Sequence, residues 1–73
     1  MRTVLEMVAV RKAAGISQAR MAVRLGFTAG YVSELEKGQF NSEYNNQRYE
    51  TALFELCRAQ WDFLNRFVQF RMS

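Results

Sequence analysis

The stretch from Ile16 to Gly38 constrains the chain more than any other. Counted from Gln18, Ala22 is the fifth residue, Gly26 the ninth, Val32 the fifteenth and Leu35 the eighteenth. Ala22 is small enough for a second helix to cross close above it. Gly26 suits a turn that needs a positive φ, which a Cβ would penalise. Val32 and Leu35 lie three apart on one helix face and can pack back onto Met21 and Leu25. Ser17 and Thr28 are placed to cap the starts of two short helices joined by this turn.

The flanking segments extend the helical reading. Thr3 with Glu6 fits a capping box that opens an earlier helix. Met7, Val10 and Ala14 form its expected core stripe. Gly15 ends it as a left-handed cap, with Arg11 and Lys12 in the last turn. Lys37 and Gly38 close the third helix. Gln39 to Asn46 reads as a polar loop. Asn46 to Arg71 contains no Gly and no Pro, so it predicts one long helix or two, with Trp61-Asp62 as the place for a break.

Two apolar stripes run along this last segment. One is Tyr49, Leu53, Leu56, Phe63, Phe67 and Phe70; the other is Phe54, Cys57, Trp61, Leu64 and Val68. A helix that packs only on its own domain needs one stripe. The second predicts a dimer or partner interface, with Phe54, Trp61, Leu64, Phe67 and Val68 as the contact residues. The alternative buries both stripes in one five-helix core, the chain folding back at Trp61. The fold class expected is all-α: a small four- to five-helix domain with a C-terminal helical extension for dimerisation.

At 73 residues the chain supports one domain, marginally stable on its own core. Apolar residues are 49% and aromatics 14%, more greasy surface than a small monomer readily hides. The net charge of +3 is uneven. Residues 1–33 hold Arg2, Arg11, Lys12, Arg20 and Arg24 against Glu6, a net +4, while residues 34–73 net −1. The basic half suits a polyanion, although a plain solvated face would look the same. Arg20 and Arg24 could reach such a partner or only keep the domain soluble.

With one cysteine and no histidine, neither an intrachain disulfide nor a Cys/His zinc site is available, and no metal or cofactor is expected. Cys57 reads as a small buried hydrophobe. Nothing assembles a nucleophile with its base, and Glu34 and Glu36, two apart, face different ways on a helix. No catalytic residue is expected. The chain shows no basic-then-apolar leader and no apolar run of bilayer length, so a cytoplasmic protein without a membrane partner is expected.

Arg11, Gly15-Ile16-Ser17-Gln18, Met21-Ala22, Leu25-Gly26 and Tyr31-Val32-Ser33-Glu34-Leu35-Glu36-Lys37-Gly38 together resemble the lambda-repressor/Cro-type (XRE-like) helix-turn-helix, a DNA-binding family. The resemblance covers roughly residues 7–38. With it, residues 1–73 read as a single domain in which 1–40 read double-stranded DNA, while the second stripe makes 45–72 the helical part for dimerisation. The resemblance places Gln18 on a phosphate, unless Gln18 is an ordinary solvated first-turn residue. It places Ala29, Gly30, Ser33 and Glu34 toward base edges, with the N-cap Thr28 at the start of the same face; Lys37, with Gln39, Asn41 and Ser42, could give phosphate contacts. Tyr31 is either a phosphate contact or a half-buried packing ring. Glu36 is expected to pair with Arg11 as a structural ion pair.

No Arg, Gln or Asn on the reading helix can make a bidentate base contact, so direct readout should be modest. The loop after it lacks the basic residues and proline often found there. The function expected is a small dimeric repressor of phage or mobile-element type, acting on a palindromic operator at the nucleoid. The alternative is a protein-interaction module of the same shape, an antiactivator or antitoxin.

Overall fold

The computed structural model describes the backbone of residues 2–72 and the side chains of residues 2–66. Four helices make up the described residues, with no strand: α1 (Val4–Ala13), α2 (Gln18–Leu25), α3 (Ala29–Glu36) and α4 (Glu43–Met72).

Local chemistry sets the first three helices. Thr3 accepts the Glu6 N–H at the start of α1, Ser17 accepts the Arg20 N–H at the start of α2, and Thr28 accepts the Tyr31 N–H at the start of α3. The Thr3 hydroxyl also donates to the Glu6 carboxylate at 3.2 Å. That replaces the return bond from Glu6 to the Thr3 backbone that a full capping box would make. Gly26 turns the chain between α2 and α3 with φ +74°.

The buried core joins Val4 and Met7 of α1, Ile16, then Met21, Ala22 and Leu25 of α2, Val32 and Leu35 of α3, and Tyr49, Ala52 and Leu53 of α4. Val10 is exposed. The buried face of α1 is Val4, Met7 and Arg11, because the arginine, not an aliphatic residue, completes the three–four spacing.

α4 is one unbroken helix, without the break considered at Trp61-Asp62. At 30 residues it runs roughly 45 Å. It starts earlier than the polar loop predicts, because the Ser42 hydroxyl accepts the Asn45 N–H and starts the helix at Glu43. Three long-range bonds seat it. Asn46 Oδ1 accepts the Val4 N–H at 3.0 Å, capping α1. Arg48 Nη2 donates to the Leu25 carbonyl at 2.6 Å, at the end of α2. Gln60 Nε2 donates to the Ala14 carbonyl at 2.9 Å. Beyond Gln60, Trp61, Phe63 and Leu64 are exposed, so α4 does not fold back into a five-helix core.

Two glycine substitutions should have opposite signs. A Cβ at Gly26 meets nothing within 4 Å, so Gly26→Ala carries only the left-handed backbone penalty and should lose about 1–2 kcal/mol of stability. A Cβ at Gly30, inside α3, meets only the Thr28 hydroxyl at 4.0 Å, so Gly30→Ala should gain about 0.5–1 kcal/mol. Urea unfolding of the two variants checks both signs.

Candidate nucleic-acid interface

The α2–turn–α3 unit is closed by its own backbone. Gly26 N–H donates to the Val23 carbonyl at 3.3 Å and Phe27 N–H to the Ala22 carbonyl at 3.0 Å. Phe27 packs on the core beneath, its ring edge-on to Tyr31 at 4.8 Å between centroids. The Arg48 guanidinium lies over the Phe27 ring at 4.8 Å while its Nη2 holds Leu25. One residue of α4 therefore grips both sides of the turn.

α3 turns Val32, Leu35 and Glu36 inward. Ala29, Gly30 and Glu34 are exposed and Ser33 is half-buried, so the face expected to be outward is outward. The described part of α4 does not cover it. Thr28 Oγ1 is engaged by the Tyr31 N–H. Lys37, exposed, lies 3.5 Å from the Glu34 carboxylate.

Behind that face sits a buried ionic node. Glu36 is 8% exposed and Arg11 6%. Arg11 Nε donates to Glu36 Oε2 at 2.7 Å and Arg11 Nη2 to Glu36 Oε1 at 2.8 Å, a two-pronged pair. Arg11 and Glu36, the pair expected from the resemblance, are thus in contact and buried. Gln18 Nε2 donates to Glu36 Oε1 at 3.0 Å, and the Tyr49 hydroxyl donates to Glu36 Oε2 at 2.7 Å. Arg11 Nη1 donates to the Ile16 carbonyl at 2.7 Å.

Burial alone would raise the Glu36 pKa. The hydrogen bonds from Arg11, Gln18 and Tyr49, with the Arg11 charge, outweigh it and hold the carboxyl below its ordinary value. The hydrogen bond to Glu36 raises Arg11 against the opposing effect of desolvation. Burial, then the bond to Glu36, raises the Tyr49 phenol, which stays protonated.

Gln18 is thus neither a free solvated side chain nor wholly available to a phosphate, because its amide already donates inward. Tyr31 is half-buried between Phe27 and Phe40, and its hydroxyl accepts from Asn45 Nδ2 at 3.5 Å. The packing role is filled, and the hydroxyl keeps a partner on α4.

The basic character of residues 1–33 is largely used within the protein. Arg11 is neutralised by Glu36, Arg24 pairs with Glu55, and Arg2 lies 3.9 Å from Glu50. Among the described residues of that half, Lys12 and Arg20 carry no ion pair. Summing charges along the sequence could not show this, because the three partners lie in the other half.

Of the expected interface residues, Phe54 and Trp61 are 68% and 66% exposed and Leu64 is also exposed. Phe67 and Val68 have side chains outside the described residues. Cys57 is half-buried, at the edge of the core. Sequence reasoning missed Arg48, Asn46, Gln60 and the Tyr49 hydroxyl. Asn46, Tyr49, Leu53 and Gln60 share one face of α4, and polar residues in register with an apolar stripe were the available signal.

A family model described as helix-turn-helix matches residues 8–42. That segment belongs to the lambda-repressor/Cro-type helix-turn-helix family. The family is one of DNA-binding transcriptional regulators. No curated protein and no solved structure matches the chain. Among the described residues, no group of three or more His, Cys, Asp or Glu side chains could hold a metal. No helix among them is long and apolar enough to cross a membrane.

Glu36→Gln should cost the helix-turn-helix roughly 3 kcal/mol at neutral pH, because Arg11 is left buried without its counter-charge. The acid limb should also change. A carboxylate whose folded pKa is depressed stabilises fully above its unfolded value, and the contribution fades as pH falls through the folded value. Denaturant unfolding should therefore show the wild type losing stability below the ordinary carboxylate range, with Glu36→Gln losing less over the same interval.

Proposed function

We propose that this chain is a small dimeric repressor that binds a palindromic operator through α3 and blocks a promoter, acting at the nucleoid in the cytoplasm. The observation that carries the reading is the Ala29–Glu34 face of α3, exposed in front of a rigid buried node. A major groove admits one α-helix, and this face presents small residues that allow close approach. Ala29 can touch a thymine methyl, Ser33 can bond to several bases, and Glu34 can accept from cytosine N4. Gly30 lies within that face, Lys37 continues it just past the helix end, and Thr28 and Tyr31 lie at its rim. Gln18 keeps a second amide hydrogen for a phosphate while its first holds Glu36.

Direct readout is weak on such a helix, so half-site spacing and DNA shape carry specificity. The exposed Phe54, Trp61 and Leu64, together with Phe67 and Val68, supply the dimer contact. In a two-fold dimer the reading helices address half-sites about one helical turn apart, roughly 34 Å.

The buried pairing of Arg11 and the surface pairing of Arg2 and Arg24, with Glu34 exposed, favour a second reading as a protein-interaction module, an antiactivator or antitoxin that docks a partner through the aromatic side of α4. Salt dependence separates the two. If Arg20 and Lys37 of each protomer neutralise phosphates, log K should fall with log salt at a slope of roughly −4 for the dimer. Titration against the DNA upstream of the chain's own gene at two salt concentrations measures this. Failure to bind at low salt rejects the repressor.

The mass in solution should be twice the chain's 8.5 kDa, and Trp61→Ala should halve it and weaken operator binding. A monomeric wild type rejects the dimer.

A further inference from the structure

We infer that Phe40 is a DNA contact, its ring packing against the sugars of the backbone wall beside α3. The inference rests on the DNA-binding reading and adds a contact of a different chemical kind.

Phe40 has φ +54°, the left-handed region, where a bulky side chain is seldom found. Its surroundings hold it there. Asn45 Nδ2 donates to the Phe40 carbonyl at 2.8 Å. The ring stacks on Tyr31, with centroids 5.1 Å apart and planes at 19°. Tyr31 meets Phe27 edge-on, and Arg48 of α4 lies over Phe27. Phe40 is thus the outer plate of a stack anchored on α4. The residue is nonetheless 57% exposed. A strained backbone that presents an aromatic ring to solvent gains little from burial, and such strain is concentrated at binding sites.

Placement identifies the occupant. On α3, Gly30, Ser33, Glu34 and Lys37 form the outward stripe, with Ala29 on one edge and Tyr31 on the other. Gln18 lies toward the Ala29 edge through Glu36, and Phe40 extends the Tyr31 edge. A groove that takes the stripe sets one backbone wall against each edge. A phenyl ring offers a phosphate nothing, but deoxyribose presents C–H faces that it can cover. Such a contact releases no counterion, so it adds affinity without adding salt dependence. It touches no base edge and acts on any sequence.

The test measures binding of the full chain to a random-sequence duplex across a salt series, with thermal unfolding alongside. Phe40→Gly and Phe40→Ala should each weaken binding about tenfold with the salt slope unchanged. Phe40→Gly should not lower the thermal midpoint, because glycine prefers this backbone. Phe40→Arg should recover affinity and steepen the slope by about one per protomer. Wild-type binding by Phe40→Gly overturns the inference and leaves the DNA-binding reading standing. A lowered midpoint in Phe40→Gly together with an unchanged slope in Phe40→Arg also overturns it, reducing the ring to a packing role. A wild type that ignores the duplex at low salt rejects both.

Discussion

The carboxylate of Glu36, the last residue of α3, accepts hydrogen bonds from each of the other three helices. Arg11 reaches it from α1, Gln18 from the start of α2 and Tyr49 from α4. Hydrophobic burial drives such a fold but has no direction. The Glu36 node supplies direction, fixing how α3 is rotated against its neighbours. A buried charge costs several kcal/mol unless its partners are complete. Here they are: no buried side-chain polar atom among the described residues lacks a partner. In a chain of this size, whose whole stability is roughly 4–11 kcal/mol, that completeness matters.

The same economy shapes the surface. Of the cations that along the sequence suit a polyanion, Arg11 is committed to Glu36, while Arg2 and Arg24 stand beside Glu50 and Glu55 in exposed pairs that partly offset their charge. The outward face of α3 is left small and nearly neutral, with Glu34 beside Lys37. Under the repressor reading, affinity then rests on close approach of α3, on contacts at its two edges and on doubling through α4. Long-range attraction between the domain and a phosphate backbone contributes less than the net +4 of residues 1–33 suggests.

The first three helices were legible because their boundaries are local. Thr3, Ser17 and Thr28 cap within three residues, and Gly15, Gly26 and Gly38 each adopt positive φ. The Arg11–Glu36 pair was legible only through the resemblance, since nothing in either residue's neighbourhood points to the other. The bonds of Asn46, Arg48 and Gln60 span between 23 and 46 residues; periodicity sets Asn46 and Gln60 on the packed face of α4 but names no partner for them, and Arg48 lies off that face. Spacing admits either Val10 or Arg11 on the core face of α1, and the general preference for aliphatic residues inside points to Val10, which is exposed. The polar stretch outruns the actual loop because a polar first helical turn and a polar loop have the same composition, and only the Ser42 cap separates them. The exposure of α4 beyond Gln60 was open in the sequence, because a stripe shows that a face is apolar and not what covers it.

A double-mutant cycle between Gln18→Ala and Tyr49→Phe tests the central claim most directly. The two side chains belong to different helices and meet through the two oxygens of Glu36. If that carboxylate couples the helices, their effects on unfolding free energy should differ from additivity by at least about 0.5 kcal/mol. Additivity within about 0.3 kcal/mol would mean that α2 and α4 are held independently, contradicting a shared node.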